Sequence, residues 1–241
     1  LVLTGLFVVS LLLIIVLNPI ITYANKTSHN NVTIFHNKQL DEALIIKLNQ
    51  ANGLLKTSEF YNSKLHFDIC LNDGSKYPKI MEAIRGRAFA WGFYDKVVLQ
   101  GTLHCQDNYV ELNGYKWNLT QLLAHEMIHC LQFDYLGLWK SNPIANIADW
   151  KWEGYAEYIS RQNLEQNNLS ENIHRLITND QSKWEINFAD STIAPRTYFD
   201  YWTLVQYCMD IKKMTYQQIL ADTTSEQAVR KEMMSWYNSS K

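Results

Sequence analysis

The run His125-Glu126-Met127-Ile128-His129 has the residue types and spacing of metal-assisted hydrolysis. On a helix, side chains four apart share a face, so both imidazoles can reach one metal ion. Glu126 follows the first histidine and is close enough to take a proton from a water held there. Two neutral nitrogen ligands, an open coordination position and a carboxylate base are what a zinc-dependent hydrolase needs. The flanking residues predict a buried helix. Asn118 reads as its N-cap, with Gln121 three residues on. Leu122, Leu123, Met127, Ile128, Cys130 and Leu131 then supply apolar cover. Buried histidines must be satisfied, either as core residues bonded to backbone or as metal ligands.

A second helix is expected over Asp149-Trp150-Lys151-Trp152-Glu153-Gly154-Tyr155-Ala156-Glu157-Tyr158. Glu153 follows His129 by 24 positions (153 − 129). That is enough to finish one helix, break at Gly137 and Ser141-Asn142-Pro143, and return antiparallel. In these residues the chain resembles the gluzincin zinc metallopeptidases, the peptidase MA-like group of thermolysin-like and aminopeptidase-like catalytic domains. Their H-E-x-x-H helix is followed by a later helix carrying E-G-x-A, matched here by Glu153-Gly154-Tyr155-Ala156. The resemblance implies Zn2+ held by His125, His129 and Glu153. Glu157 and Asp149, one turn to either side, would orient a ligating histidine from behind. The gap between the motifs is long for the group, which keeps Glu157 open as the alternative ligand. The resemblance also implies a tyrosine that donates to the developing oxyanion, either Tyr198 or Tyr201. It covers roughly residues 64 to 236, and only the two motifs are specific.

Other metal arrangements fit less well. His129 is followed by Cys130-Leu131-Gln132-Phe133-Asp134-Tyr135, with no third histidine at the metzincin offset. Nothing marks His104, Cys105 or His174 as ligands.

The elements that must position the site give an α+β fold. It is a small mixed sheet with an edge strand beside the zinc helix, followed by a mostly helical C-terminal part. Strands are expected at Lys64–Cys70, Lys96–Gln100 and Tyr109–Leu112, where polar and apolar residues alternate or apolar residues run together. The resemblance assigns the substrate-pairing edge to Asn108–Leu112. Helices are expected over Asp41–Leu55, Tyr198–Tyr207 and Met214–Leu220, with a further helical stretch from Ser225. The chain divides as 1–24, an apolar N-terminal segment; 25–63, a lead-in with one helix; and 64–241, the zincin-like domain.

Composition sets limits. A formal charge of −2 at pH 7 over 241 residues leaves no basic face for nucleic acid. Leu1 to Leu17 is uncharged and interrupted only by Thr4, Gly5 and Ser10, with Asn18-Pro19 breaking it. Seventeen residues of helix span about 25 Å, near the roughly 30 Å of a bilayer core. The segment therefore reads as an uncleaved membrane anchor reaching Tyr23, or as a signal peptide cleaved after Ala24. The first residue is Leu and no positive flank precedes the run, so an upstream piece is also expected. Either reading places the catalytic part outside the cytoplasm. Export would permit disulfides among Cys70, Cys105, Cys130 and Cys208, with free buried thiols as the alternative.

The expected activity is hydrolysis of a peptide or protein substrate, with Glu126 as base. No G-x-M-E-N exopeptidase signature occurs, which favours an endopeptidase or a narrow, specialised substrate. The competing expectation is a peptidase-like binding module without catalysis, which would have no need of Glu126.

Overall fold

A computed structural model describes residue 10 and residues 12–162 and 166–239 of the chain. The main sheet begins with the antiparallel hairpin β1 (Asn25–His29) and β2 (Val32–His36). Helix α1 (Glu42–Leu55) then crosses to β3 (Phe67–Cys70), which lies parallel to β2. Asp41 starts α1 by accepting the Ala43 amide, and Ala43, Leu44, Leu48, Ala51 and Leu55 are its buried face. Helix α2 (Tyr77–Arg85) leads to the hairpin β4 (Ala90–Phe93) and β5 (Lys96–Leu99). The order is β1-β2-β3-β5-β4, with β3 and β5 parallel, so the sheet is mixed and β4 is an edge. A three-stranded antiparallel sheet follows: β6 (Thr102–His104), β7 (Tyr109–Leu112) and β8 (Tyr115–Asn118). β5 is buried at all four positions, and its Val97 and Leu99 anchor the sheet to the core.

The chain passes straight from β8 into α3 (Leu119–Leu136), the helix carrying His125 and His129. Two asparagines fix its start. Asn118 accepts the Gln121 amide, and Asn108 accepts the Thr120 amide and hydroxyl. Gly137 ends it at φ 76°, where its amide returns to Phe133 O. Buried residues run without a gap from Gln121 to Gln132, so α3 is a core helix.

Behind it pack α4 (Asp149–Ser160), α5 (Leu169–Thr178), the short hairpin β9 (Glu185–Asn187) and β10 (Ile193–Pro195), α6 (Arg196–Gln206), α7 (Tyr216–Ala221) and α8 (Glu226–Ser239). The C-terminal part is thus mostly helical. A Cβ on Gly154 would stand 2.6 Å from Tyr201 O, so glycine lets α4 and α6 approach backbone to backbone. A Cβ on Gly92 would stand 2.2 Å from Glu126 O, and by the same means β4 lies directly against α3.

Two expectations are corrected. The free edge beside α3 is β4. Asn108–Leu112 overlaps β7, the central strand of its sheet, whose backbone is paired on both sides by β6 and β8. Nor does a membrane span form among the described residues, where no helix is long and apolar enough to cross. Residues 12–17 are helical, Pro19–Thr22 is a 3-10 turn, and Tyr23 is only 8% exposed, its hydroxyl donating to Leu71 O. The stretch from Pro19 onward is therefore part of the folded body. The remainder of the expected anchor, residues 1–9 and 11, lies outside the described residues. The membrane partner, the anchored location and the signal segment, all read from that stretch, lose their basis. Of the two alternatives kept open for the cysteines, the fold shows free thiols: Cys70, Cys105, Cys130 and Cys208 are all buried and unpaired.

Candidate metal centre

Helices α3 and α4 bring three donor atoms together. His125 Nε2 and His129 Nε2 are 3.1 Å apart, and Glu153 Oε2 is 3.2 Å from each. Each imidazole is stacked on an aromatic ring, His125 on Tyr198 and His129 on Trp152. The opposite nitrogens face protein acceptors. His129 Nδ1 lies 2.8 Å from Gln132 Oε1, while His125 Nδ1 and Glu157 Oε1 are 3.2 Å apart but poorly aligned for a hydrogen bond. With both Nδ1 atoms protonated toward those acceptors, both Nε2 lone pairs point at each other and at a carboxylate. Three electron-rich atoms at contact distance require a positive charge among them. In the metal-free protein a proton serves: burial opposes it, but the Glu153 and Glu157 carboxylates prevail and push His125 up to about 10. Glu153 is correspondingly held well below the usual carboxylate range; its burial works against this, and the two histidines outweigh it. A metal ion suits the same trio, whose donors all lie within 4.8 Å of one another.

Glu126 faces the same cavity and ligates nothing in this arrangement. It is 6% exposed, and burial raises its pKa against the pull of the two histidines and the Gly92 amide. A carboxylate of raised pKa is a better proton acceptor than a solvated one.

Glu157 lies behind His125, fully buried, paired with the equally buried Arg161. Burial favours its neutral form, but Arg161 and His125 keep it ionised, its pKa shifted downward. Arg161 also donates to Gln121 Oε1 at 2.9 Å, and its guanidinium lies over the Trp117, Phe188 and Trp202 rings. Asp149 is on the cavity wall at the first residue of α4, exposed and bonded to neither histidine. Tyr198 lines the cavity too, stacked on His125, and its hydroxyl has no partner among the described residues. Burial and the nearby carboxylates raise its pKa strongly, so the phenol keeps its proton and can donate it. Tyr201 packs against the core instead and is absent from the cavity lining.

Sequence reasoning missed Gln132 and Arg161. Gln132 Nε2 donates to Tyr216 Oη and to Trp152 O, which fixes the oxygen that meets His129. Its signal was available: it is a polar residue three beyond His129, one turn along an otherwise apolar helix. Arg161 had the matching i, i+4 relation to Glu157.

The donors open on a cavity of about 890 Å3 whose walls include Phe89, Trp91, Trp117, Phe133, Trp152 and Trp184. That volume is within the range of specific ligand sites. Neither known protein families nor curated protein sequences match the chain, so the reading of this centre rests on its own geometry.

Proposed function

We propose that the chain is a zinc-dependent peptide hydrolase of gluzincin type, cutting within an extended peptide. One observation carries the reading: His125, His129 and Glu153 converge on one point at the floor of an aromatic-walled cavity, and the buried, non-ligating Glu126 faces the same space. Zinc is the metal that best suits two imidazoles and one carboxylate, and when bound it acidifies a coordinated water and polarises a carbonyl oxygen.

The protein's own groups supply the rest. Glu126 accepts the proton of the attacking water on its carboxylate and returns it to the leaving amine nitrogen. Glu157 and Gln132 hold the imidazoles with Nε2 toward the cavity. The Tyr198 hydroxyl donates to the oxyanion. Strand β4 offers its unpaired edge, so an extended backbone can add to the sheet alongside α3. The aromatic walls exclude water and favour apolar side chains next to the cut bond.

Glu126→Gln tests the scheme. The amide matches the carboxylate in shape but accepts no proton, so peptide cleavage should fall by about 10²–10⁴. Zinc content should stay at the wild-type ratio, because Glu126 ligates nothing. Wild-type turnover by this variant would refute the mechanism. Retained zinc with no cleavage even by the unaltered protein would favour a binding module.

A further inference from the structure

One cationic group of the cavity, Arg85, has no part in the proposed hydrolysis. Arg85 closes α2, two residues before Arg87 and six before Trp91 in β4, and it lines the same cavity as His125, Glu126 and Glu153. Its guanidinium lies over the Trp91 ring, 4.6 Å from the centroid. Trp91 is itself held, its indole N–H donating to Gly86 O at 3.0 Å, so the turn that follows Arg85 also fixes the platform beneath it. Arg161, Arg196 and Arg230 direct their N–H groups to carboxylates or carbonyls of the protein, Arg87 makes a 3.9 Å ion pair with Glu82, and Arg175, which does not line the cavity, lies over the Phe188 ring. Arg85 forms no hydrogen bond or ion pair among the described residues. A guanidinium over a ring face keeps its N–H groups for other partners, and they form the fork that grips a carboxylate through two parallel hydrogen bonds.

We infer that Arg85 is a specificity residue that receives a carboxylate of the bound peptide on the β4 side of the cleft. The inference rests on reading the cavity as the substrate cleft. Two observations make a carboxylate the favoured partner. The lining residues that follow Arg85 in the chain, Arg87 to Gly92, carry no acidic side chain, and Glu82 on the same helix is paired with Arg87, so Arg85 has no ion pair of its own among the described residues. The acidic groups acting on it, Glu126 and Glu153, are committed to the chemistry and to the metal trio. The carboxylate can come from an Asp or Glu side chain or from the free end of the chain. Arg85 is exposed, so the pair should be worth about tenfold in affinity, the lower end for a charge-assisted contact.

The test uses the Glu126→Gln protein, in which cleavage is held off, and calorimetric titration of acetylated alanine–phenylalanine hexapeptides. One series is C-terminally amidated and carries a single glutamate, moved along the peptide, against glutamine at the same place. The second arm is neutral and ends in a free carboxylate, against its amide. At the right position the acid should bind about tenfold tighter than the amide, and Arg85→Met should erase that difference. A gain confined to the first arm identifies a side-chain carboxylate, and one confined to the second identifies the chain terminus. Equal affinity for acids and amides at every position, or a preference that survives Arg85→Met, would overturn the inference. Should Arg85→Met also lose the neutral amide through misfolding, Arg85→Lys decides. A point charge without the fork should weaken the preference, and an undiminished one would overturn the assignment. Wild-type protein that cleaves no peptide, beside an intact Arg85-dependent preference, would sink the hydrolase reading and leave the carboxylate site standing.

Discussion

Glu153 and Glu157 sit one turn apart on α4, yet the fold gives them opposite surroundings. Glu153 meets two imidazole nitrogens at the cavity floor, whereas Glu157 is sealed behind His125 against Arg161. The variants should therefore fail differently. Glu153→Ala removes one of three donors, so purified protein should carry well under one zinc per chain by elemental analysis. Equal zinc in wild type and Glu153→Ala would refute its role as a ligand. Glu157→Ala leaves Arg161 charged and unpaired in the core, which typically costs about 3–5 kcal/mol in urea denaturation. Its zinc affinity should drop by about 10–100-fold, the usual effect of losing a group that orients a ligand. Replacing both partners, Glu157→Leu with Arg161→Met, should recover much of the stability but not the affinity. The orientation of His125 would still be lost.

At the scale of elements, two helix glycines make opposite predictions. Gly154 touches Tyr201 O, so Gly154→Ala should destabilise by about 1–3 kcal/mol, as overpacked sites do. Gly53, near the end of α1, is open: a methyl group there would meet nothing within 4 Å. Gly53→Ala should therefore stabilise by about 0.4–1 kcal/mol. Urea midpoints that moved in the same direction for both would contradict the close α4–α6 packing. The same contrast separates what a sequence reveals from what only a fold does. The metal helix was legible because cap, apolar run and histidine spacing are local features of Asn118–Leu131. The E-G-x-A match was legible as a motif, but the packing reason for its glycine depends on α6, 47 residues away (201 − 154). The hairpin of β1 and β2 went unseen because Asn25–His29 is polar and mostly exposed, with no buried alternation to betray a strand. Tyr109–Leu112 was rightly legible as a strand. Which strand has a free edge is a property of the sheet order, and Ala90-Trp91-Gly92-Phe93 carries a glycine that weakens any local strand signal.

For the molecule as a whole, the segment around Tyr23 decides how the apolar N-terminal stretch relates to the folded body. Hydrophobicity alone suggested lipid; in the fold Pro19 and Tyr23 of this stretch are buried, while Leu12, Leu13, Ile14, Leu17, Ile20 and Ile21 stay exposed. Tyr23 packs with Phe35, Cys70, Tyr77, Met81 and Val98 in a cluster on the α2 side of the main sheet. Its ring lies 5.8 Å from that of Phe35 and 6.2 Å from that of Tyr77, and the Tyr77 hydroxyl in turn donates to Val16 O. Residues before β1 thus complete a core that includes Cys70 of β3 and Val98 of β5, two interior strands of the sheet. Tyr23→Ala should cost about 3–5 kcal/mol, the usual penalty for deleting a buried aromatic ring. Tyr23→Phe keeps the ring but leaves Leu71 O without its donor, and should cost about 1–3 kcal/mol. Neither change touches the metal trio, so zinc per folded chain should stay constant while the urea midpoint falls in the order wild type, Phe, Ala. A Tyr23→Ala protein as stable as wild type would show that the segment is dispensable to the fold.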